Sequence, residues 1–315
     1  MIKTYTWSQL SQEKKAKIAK DKFIFIFGSV EMTPNRIKDL ATKIVKKHKL
    51  IFGVLDHKYI EGFEKCPQFE TLSKQELEKT ISKLSEPEKK NISILKYKQK
   101  YSHYIINELK PTAVILINDS WQQAFHYTKN YYSLNKHKIP FKFMSPFVSE
   151  DEAIDYAKLK LKKMPKLPID EQKKYDDKKL INLSDQAARR SFDHTFQTGA
   201  ILAKNGHFLL AAHNRIVPFE TYARHYGCQK EQNLAPSQDL NFFDNNHAEI
   251  ELLIQAQEQK IDLKNTTLYI NLLPCPTCAR MISQTQISKI VYQYDHSNGY
   301  AHSLLKKAGK IVRRI

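Results

Sequence analysis

The sequence predicts an α/β protein built in two parts: a Rossmann-like α/β front part and a second α/β part whose closing strands run parallel. Three observations carry this reading. The chain has 315 residues, about twice the length of an ordinary single domain of ~150 residues. Its first half alternates short apolar runs with amphipathic stretches, the pattern of strand–helix–strand crossovers. Its end repeats the alternation, with a strand at 289–294, a helix at about 300–308 and a strand at 310–315. A crossover helix makes the two flanking strands parallel.

In the front part, Lys22-Phe-Ile-Phe-Ile-Phe-Gly28 is an apolar run ending in glycine, the look of a strand buried on both faces. Asn35 to His48 follows as a helix, with Ile37, Leu40, Ala41, Ile44 and Val45 on one face. Leu50 to Leu55 is the next strand. Ile92 to Leu109 reads as a helix, 111–118 as a strand, Ser120 to Leu134 as a helix and 140–144 as a strand. Ser149, followed by Glu150, Asp151 and Glu152, caps a helix to Lys163. Strand ends in such sheets take ligands, so Gly28-Ser29 and Asn118-Asp119-Ser120 are candidate positions. No G-x-x-x-x-G-K-[ST] stands anywhere in the chain, which argues against a phosphate-binding P-loop. Residues 1–165 are therefore expected to form one domain. The polar stretch 166–180, rich in charge after Met164-Pro-Lys-Leu-Pro168, is expected to be a linker, and 181–315 a second domain.

The chemistry sits in the second domain. His247-Ala-Glu249 opens a helical stretch to Gln257, with Ile250, Leu253, Ile254 and Gln257 at helical spacing. Thr266 to Leu273 reads as a buried strand that Pro274 stops, and Cys275-Pro-Thr-Cys278 opens the next helix with its thiols at i and i+3. One imidazole and two thiols supply three ligands for zinc, and a catalytic zinc site keeps a fourth position for water. Glu249, two residues from the ligand His247, is not needed as a ligand. It is placed to take a proton from water and to pass protons to a ring nitrogen and a leaving amine. Backbone groups near Ala248 and Pro274 are expected to contact the edge of the base. A lone CxxC is also compatible with a redox pair or half of a structural zinc site, but neither explains His-Ala-Glu.

This H-x-E…P-C-x-x-C pattern is that of zinc nucleobase deaminases, and residues 181–315 resemble the cytidine and deoxycytidylate (dCMP) deaminase superfamily, best its dCMP deaminase branch. The resemblance is carried by Arg190-Ser-Phe-Asp193 with Gln197-Thr-Gly-Ala200, by Ala212-His-Asn214 with Pro218, by Leu273 to Ile282, and by the closing Leu304–Ile315. It implies a cytidine-deaminase-like three-layer α/β/α domain, a Zn2+ cofactor and a pyrimidine nucleotide substrate. It also implies a sugar contact at Asn214. Parallel closing strands belong to the dCMP, tRNA-adenosine and riboflavin-pathway branches rather than to free cytidine deaminases. Two departures stand out. The Asn214 loop lacks the family's glycines, and Glu251 stands where many relatives carry asparagine. Asn214-Arg215 also resembles the sugar loop of tRNA adenosine deaminases. The insert Glu220–Asn246 offers Arg224 as a phosphate partner and His225 with Cys228 as incomplete ligands for a second zinc. Tyr294 and His296 follow a strand, either facing the pocket or packing at the strand end.

Net charge is +18 and uneven. Residues 181–315 hold 15 Lys and Arg against 11 Asp and Glu, and the rest of the chain holds 36 against 22. Basic charge is the footprint of polyanion binding, although dispersed lysines also arise from composition alone. Three functions stay open: a dCMP-type deaminase, a tRNA or single-stranded DNA base deaminase whose basic front half binds the polynucleotide, and a nucleotide-sensing regulatory or defence protein with a gating front lobe. A homo-oligomer is expected by family only. No apolar run reaches membrane-spanning length and no signal-peptide core is seen. Four cysteines make no disulfide framework, so a cytoplasmic location is expected.

Overall fold

A computed structural model describes residues 2–28, 30–57, 71–118, 125–170, 172–193, 196–235 and 242–315. Ser29, Asp119 and Ser120, and the first turn of the helix expected from Ser120, lie outside the described residues. The chain divides into two compact units, Met1–Tyr156 with Thr221–Asp244, and Ala157–Glu220 with Asn245–Ile315.

The first unit contains β1 (Lys3–Thr6), α1 (Gln12–Ala19), β2 (Phe23–Gly28), α2 (Pro34–Ile44), β3 (Lys49–Leu55), α3 (Lys74–Ile81), α4 (Glu86–Lys90), β4 (Ile92–Tyr97), α5 (Ser102–Leu109), β5 (Ala113–Ile117), α6 (Lys129–Lys136) and β6 (Phe141–Met144). The helix α7 (Glu150–Lys163) begins in this unit and carries the chain into the second. The six strands pair in the order β1-β4-β3-β2-β5-β6, all parallel. Strand residues alternate between two cores. Ile26, Phe52 and Ile94 face α2 and α3, while Phe25, Phe27, Leu95 and Tyr97 face α5 and α6. The β-branched and aromatic runs make these strands, because both faces are dry.

The structure corrects the helix read from Ile92 to Leu109. Its first part is the strand β4, and helix begins only at Ser102. Ile92, Ile94, Leu95 and Tyr97 are all buried in the sheet, so packing on two faces overrides a periodicity compatible with either state. Strand β1 and helices α1, α3 and α4 lie in stretches that the sequence reading left as polar and charged.

The second unit contains α8 (Asp177–Ala188), β7 (Gly199–Lys204), β8 (His207–His213), β9 (Arg215–Ile216), β10 (Asn245–Asn246), α11 (Ala248–Glu258), β11 (Thr267–Leu272), α12 (Pro276–Ser283), β12 (Lys289–Tyr294), α13 (Tyr300–Lys307) and β13 (Ile311–Arg314). The short helices α9 (Tyr222–Tyr226) and α10 (Gln229–Gln232) belong to the first unit. A five-stranded sheet runs β13-β12-β11-β7-β8. Strands β11, β12 and β13 are mutually parallel, as the closing strand–helix–strand pattern requires. Alternation again splits the core. Ile201, Tyr269 and Val291 pack on α8, and Leu202, Leu268, Ile270 and Ile290 pack with residues of α11, α12 and α13. This is the three-layer α/β/α arrangement. Gly199 is required where β7 meets α8, because a Cβ there would lie 2.0 Å from the Ser184 carbonyl oxygen.

Two boundaries differ from the sequence reading. Helix α8 starts at Asp177, inside the stretch expected to be linker, and its Asp176 cap accepts from Lys179 N. The segment 221–244, read as an insert of the second domain, folds with the first unit. Thr221 Oγ1 donates to Ala153 O at 2.7 Å, Asn118 Nδ2 donates to His225 O at 3.0 Å, and Ser145 Oγ meets His225 Nδ1 at 2.9 Å. Gly227 has φ +92° and lies against Asn118, with 3.7 Å from an added Cβ to either amide atom. The amphipathic character of this segment is thus spent on the β5 and β6 ends.

Glu231 in this segment accepts from Phe125 N at 2.5 Å, and burial pushes its carboxyl up to about 7. A folded-state value above the unfolded one means that folding binds a proton. Stability is then full below pH 4.5 and declines as pH rises toward 7. Glu231→Gln keeps an acceptor for Phe125 N and has no charge to bury. Melting curves from pH 4 to 8 are expected to show a smaller decline for this variant than for the parent; equal pH dependence would contradict the assignment.

Candidate metal and catalytic centre

The centre forms where two helices of the second unit begin. His247 is the N-cap of α11 and Cys275 the N-cap of α12, both in extended backbone. Strand β11 ends at Leu272, Pro274 prevents its continuation, and Pro276 at the first helical position turns the chain directly into α12. Cys275 Sγ accepts from Cys278 N at 3.4 Å, so the cap itself folds both thiols inward. His247 Nδ1 lies 3.6 Å from Cys275 Sγ and 3.4 Å from Cys278 Sγ.

These distances test the metal. A tetrahedral zinc with Zn–N near 2.05 Å and Zn–S near 2.3 Å separates N from S by about 3.6 Å. The three ligand atoms all lie within 4.8 Å of one another, and among the described residues this is the one such group of three or more His, Cys, Asp or Glu side chains. The residues present therefore fit zinc. His225, suggested with Cys228 as half of a second site, instead meets Ser145.

Glu249 is 4% exposed at the second position of α11. Burial pushes its carboxyl up to about 7, against the pull of His247. His247 is held above its usual value, first by the hydrogen bond to Cys275 and then, against burial, by the charges of Glu249 and Asp193. The thiols share one charge. Cys275 is pulled down, chiefly by its hydrogen bond with Cys278, and Cys278 is pushed up.

The helix stripe expected at Ile250, Leu253, Ile254 and Gln257 is corrected. The buried residues of α11 are Ala248, Glu249, Glu251, Leu252 and Ala256, and Ile254 is 41% exposed. Small alanines bring this helix close to the sheet, and the Glu249 carboxyl takes a place that periodicity assigns to solvent.

Asn214 lies buried just beyond β8, with its carboxamide already engaged. Its Oδ1 accepts from Thr198 N at 2.8 Å, and its Nδ2 donates to Asp193 Oδ2 and Phe196 O, each at 2.9 Å. Both amide hydrogens are spent, which leaves one acceptor lone pair on Oδ1. Asp193 also accepts from Asn245 Nδ2 and, at 3.3 Å, from Phe196 N. Asn245 precedes His247 by two residues and pairs with Ile216 through β10 and β9. Asp193 thus ties Phe196, Asn214 and Asn245 together. Sequence reasoning quoted Asp193 only inside a motif. Its signal was a buried acid beside a chain of amides, and Asn245-Asn246 directly before a metal ligand was a second.

Ala248 and Pro274, expected to contact the base edge, are both buried, at the start of α11 and just before α12. Leu273 N donates to Tyr294 O at 2.7 Å, which brings the Tyr294 backbone beside Pro274. Arg224 is 3% exposed and belongs to the first unit rather than to the unit that holds the centre. Glu251 accepts from Asn246 Nδ2 at 2.9 Å. Glu220, 3.4 Å from Arg215 Nε, is pushed up to about 7 by burial and further by Glu251. An acidic pair therefore occupies the position where the motif departs from its relatives.

Comparison with known proteins agrees with this unit. Residues 174–294 match the family described as the cytidine and deoxycytidylate deaminase zinc-binding region. Deoxycytidylate deaminase of Enterobacteria phage T4 is 30% identical over 120 residues, covering 37% of this chain and 61% of that protein. Deoxycytidylate deaminase of Saccharomyces cerevisiae is 29% identical over 140 residues, 44% of each chain. The chain thus spans less than two thirds of the length of either of these relatives. The crystal structure of dCMP deaminase from cyanophage S-TIM5 with dCMP and dUMP overlaps 44% of this chain and 93% of its own, at 22% identity and a TM-score of 0.34, too low to carry a structural argument.

Purified protein is expected to retain about one zinc per chain after dialysis, and Cys278→Ser to lose it; metal analysis that finds zinc equally in both would contradict the ligand set. Asp193→Ala is expected to keep the zinc and lower turnover by roughly tenfold, the usual cost of removing a supporting partner around a metal site. Unchanged turnover would remove Asp193 from the account.

Proposed function

Because the C-terminal part carries a zinc-binding domain of the cytidine and deoxycytidylate deaminase type, we propose that this protein is a zinc-dependent hydrolytic deaminase of a pyrimidine nucleotide, converting dCMP and water to dUMP and ammonia. The observation that carries the reading is a carboxyl, Glu249, buried at 4% exposure beside the trio His247, Cys275 and Cys278. It is not itself one of the ligands. Structural zinc sites close with a fourth protein ligand and have no use for such an acid. The choice of dCMP is supported by the names of the phage and yeast relatives.

Held by His247, Cys275 and Cys278, zinc supplies Lewis acidity toward the attacking water. Glu249 does the proton work. It accepts a proton from the water as oxygen attacks C4, delivers it to N3 of the ring, and returns a second proton to the departing amino group. Asn214, with one lone pair left on Oδ1, accepts from a sugar hydroxyl, and the Asp193 contact fixes the direction of that lone pair. Backbone groups around Ala248 and Pro274 face the base edge.

Two measurements check this. A panel of cytidine, CMP, dCMP, dCTP, guanine and tRNA, scored by ammonia release, is expected to show the highest kcat/KM for dCMP; a preference for another member would replace the substrate while keeping the reaction. Glu249→Ala is expected to bind zinc normally and lose at least about a hundredfold in turnover. Substantial turnover in the zinc-loaded variant would contradict the mechanism.

A further inference from the structure

The strong positive charge of the front half is not used by the deaminase reading. Within the first unit it is organised on one surface. Helix α6 presents Lys129, Tyr132 and Lys136 at i, i+3 and i+7, while Asn130, Ser133 and Leu134 are buried. Tyr132 is 62% exposed, and the helix contains no acid. Helix α5 lies beside it, joined by Asn107 Nδ2 to Ser133 Oγ at 3.1 Å and by Asn107 Oδ1 to His137 Nε2 at 2.9 Å. An exposed row runs from Lys100, two residues before the helix, through Tyr104 to Glu108, with Tyr104 49% exposed. The acid in that row, Glu108, is neutralised by Lys15 at 3.0 Å.

The two helices pack side by side through these Asn107 bonds. His103 on α5 is held below its usual value, first by burial and then by the Lys129 charge. The same holds for His137, where burial is followed by Lys110 and Lys136. Rings touch along the surface, His103 tilted against Tyr104 at 4.0 Å between centroids and Tyr131 edge-on to Tyr132 at 5.6 Å. Among the described residues none of Lys100, Lys110, Lys129 and Lys136 is in an ion pair.

Lysines dispersed by composition alone would carry no interleaved exposed aromatics at helical spacing. Tyrosine is costly to leave in water over so much ring surface, and repeated exposure on a basic face has a known use. Bases stack on aromatic rings while lysines track the phosphates of an unpaired strand. A folded acidic protein or an anionic bilayer would use the charge but not the exposed rings.

We propose that the α5–α6 face of the first unit binds single-stranded nucleic acid, with Tyr104 and Tyr132 stacking on bases and Lys100, Lys129 and Lys136 on the phosphates. The inference stands on this surface alone and is independent of which base the zinc centre deaminates.

The test is fluorescence anisotropy of the full-length protein with a labelled oligothymidylate of about 20 nucleotides, longer than one ordinary binding site of 4–16. Inorganic polyphosphate and phosphatidylserine vesicles serve as base-free polyanions. The parent is expected to bind the oligonucleotide more tightly than either. Tyr104→Ala and Tyr132→Ala are each expected to weaken it by about tenfold, with Tyr132→Phe close to the parent. Lys129→Ala and Lys136→Ala are each expected to reduce the slope of log K against log salt by about 0.7. Melting temperatures of these variants are expected to match that of the parent, which shows that the fold is kept. The proposal is overturned if the parent does not bind the oligonucleotide, if polyphosphate or vesicles bind as tightly, or if both tyrosine variants bind like the parent.

Discussion

Everything at the active end of this protein depends on two helix starts meeting at one point. The imidazole of His247 and the thiols of Cys275 and Cys278 come within 3.4 to 3.6 Å only because both α11 and α12 begin beside the same sheet, each with its first ligand in the extended cap position. Side chains at such caps point toward the orphan backbone N–H groups of the helix. Acids gathered there are favoured by the positive ends of both helices. Cys278 and Glu249 are buried and Cys275 half-buried beside a single imidazole; burial pushes Glu249 up, and the hydrogen bond with Cys275 pushes Cys278 up.

The surrounding structure can be understood as support for that meeting. Ala248 and Ala256 let α11 lie close on the sheet. Gly199 lets β7 pass under α8, and Asn271 there accepts from Gly199 N at 3.0 Å and donates to Gln197 O at 3.1 Å. Asp193 then binds both Asn214 and Asn245, so the residue after β8 and the strand β10 share one carboxylate.

The zinc motif, the parallel closing strands and the caps were legible in the sequence because each follows from local chemistry: ligand spacing, a proline after a strand, a crossover helix. Strand β4 was not, since Ile92–Tyr97 fits either period and only burial on both faces makes it a strand. The exposed side of α11 was misread for the same kind of reason. Periodicity ranks apolar residues, whereas here the buried face carries Glu249 and Glu251. The fate of 221–244 was beyond any local signal. It is set by hydrogen bonds to Asn118, Ser145 and Ala153, roughly 70 to 110 residues earlier in the chain, and it means that a segment flanked by the sugar loop and the metal ligand belongs to the other unit.

The central claim is a zinc held by one nitrogen and two sulfurs with a fourth position open to water. Zinc K-edge X-ray absorption on the purified protein tests it most directly. The account predicts two sulfur scatterers near 2.3 Å and two nitrogen or oxygen scatterers at about 2.0–2.1 Å. A shell of three or four sulfurs, or one without sulfur, would contradict it.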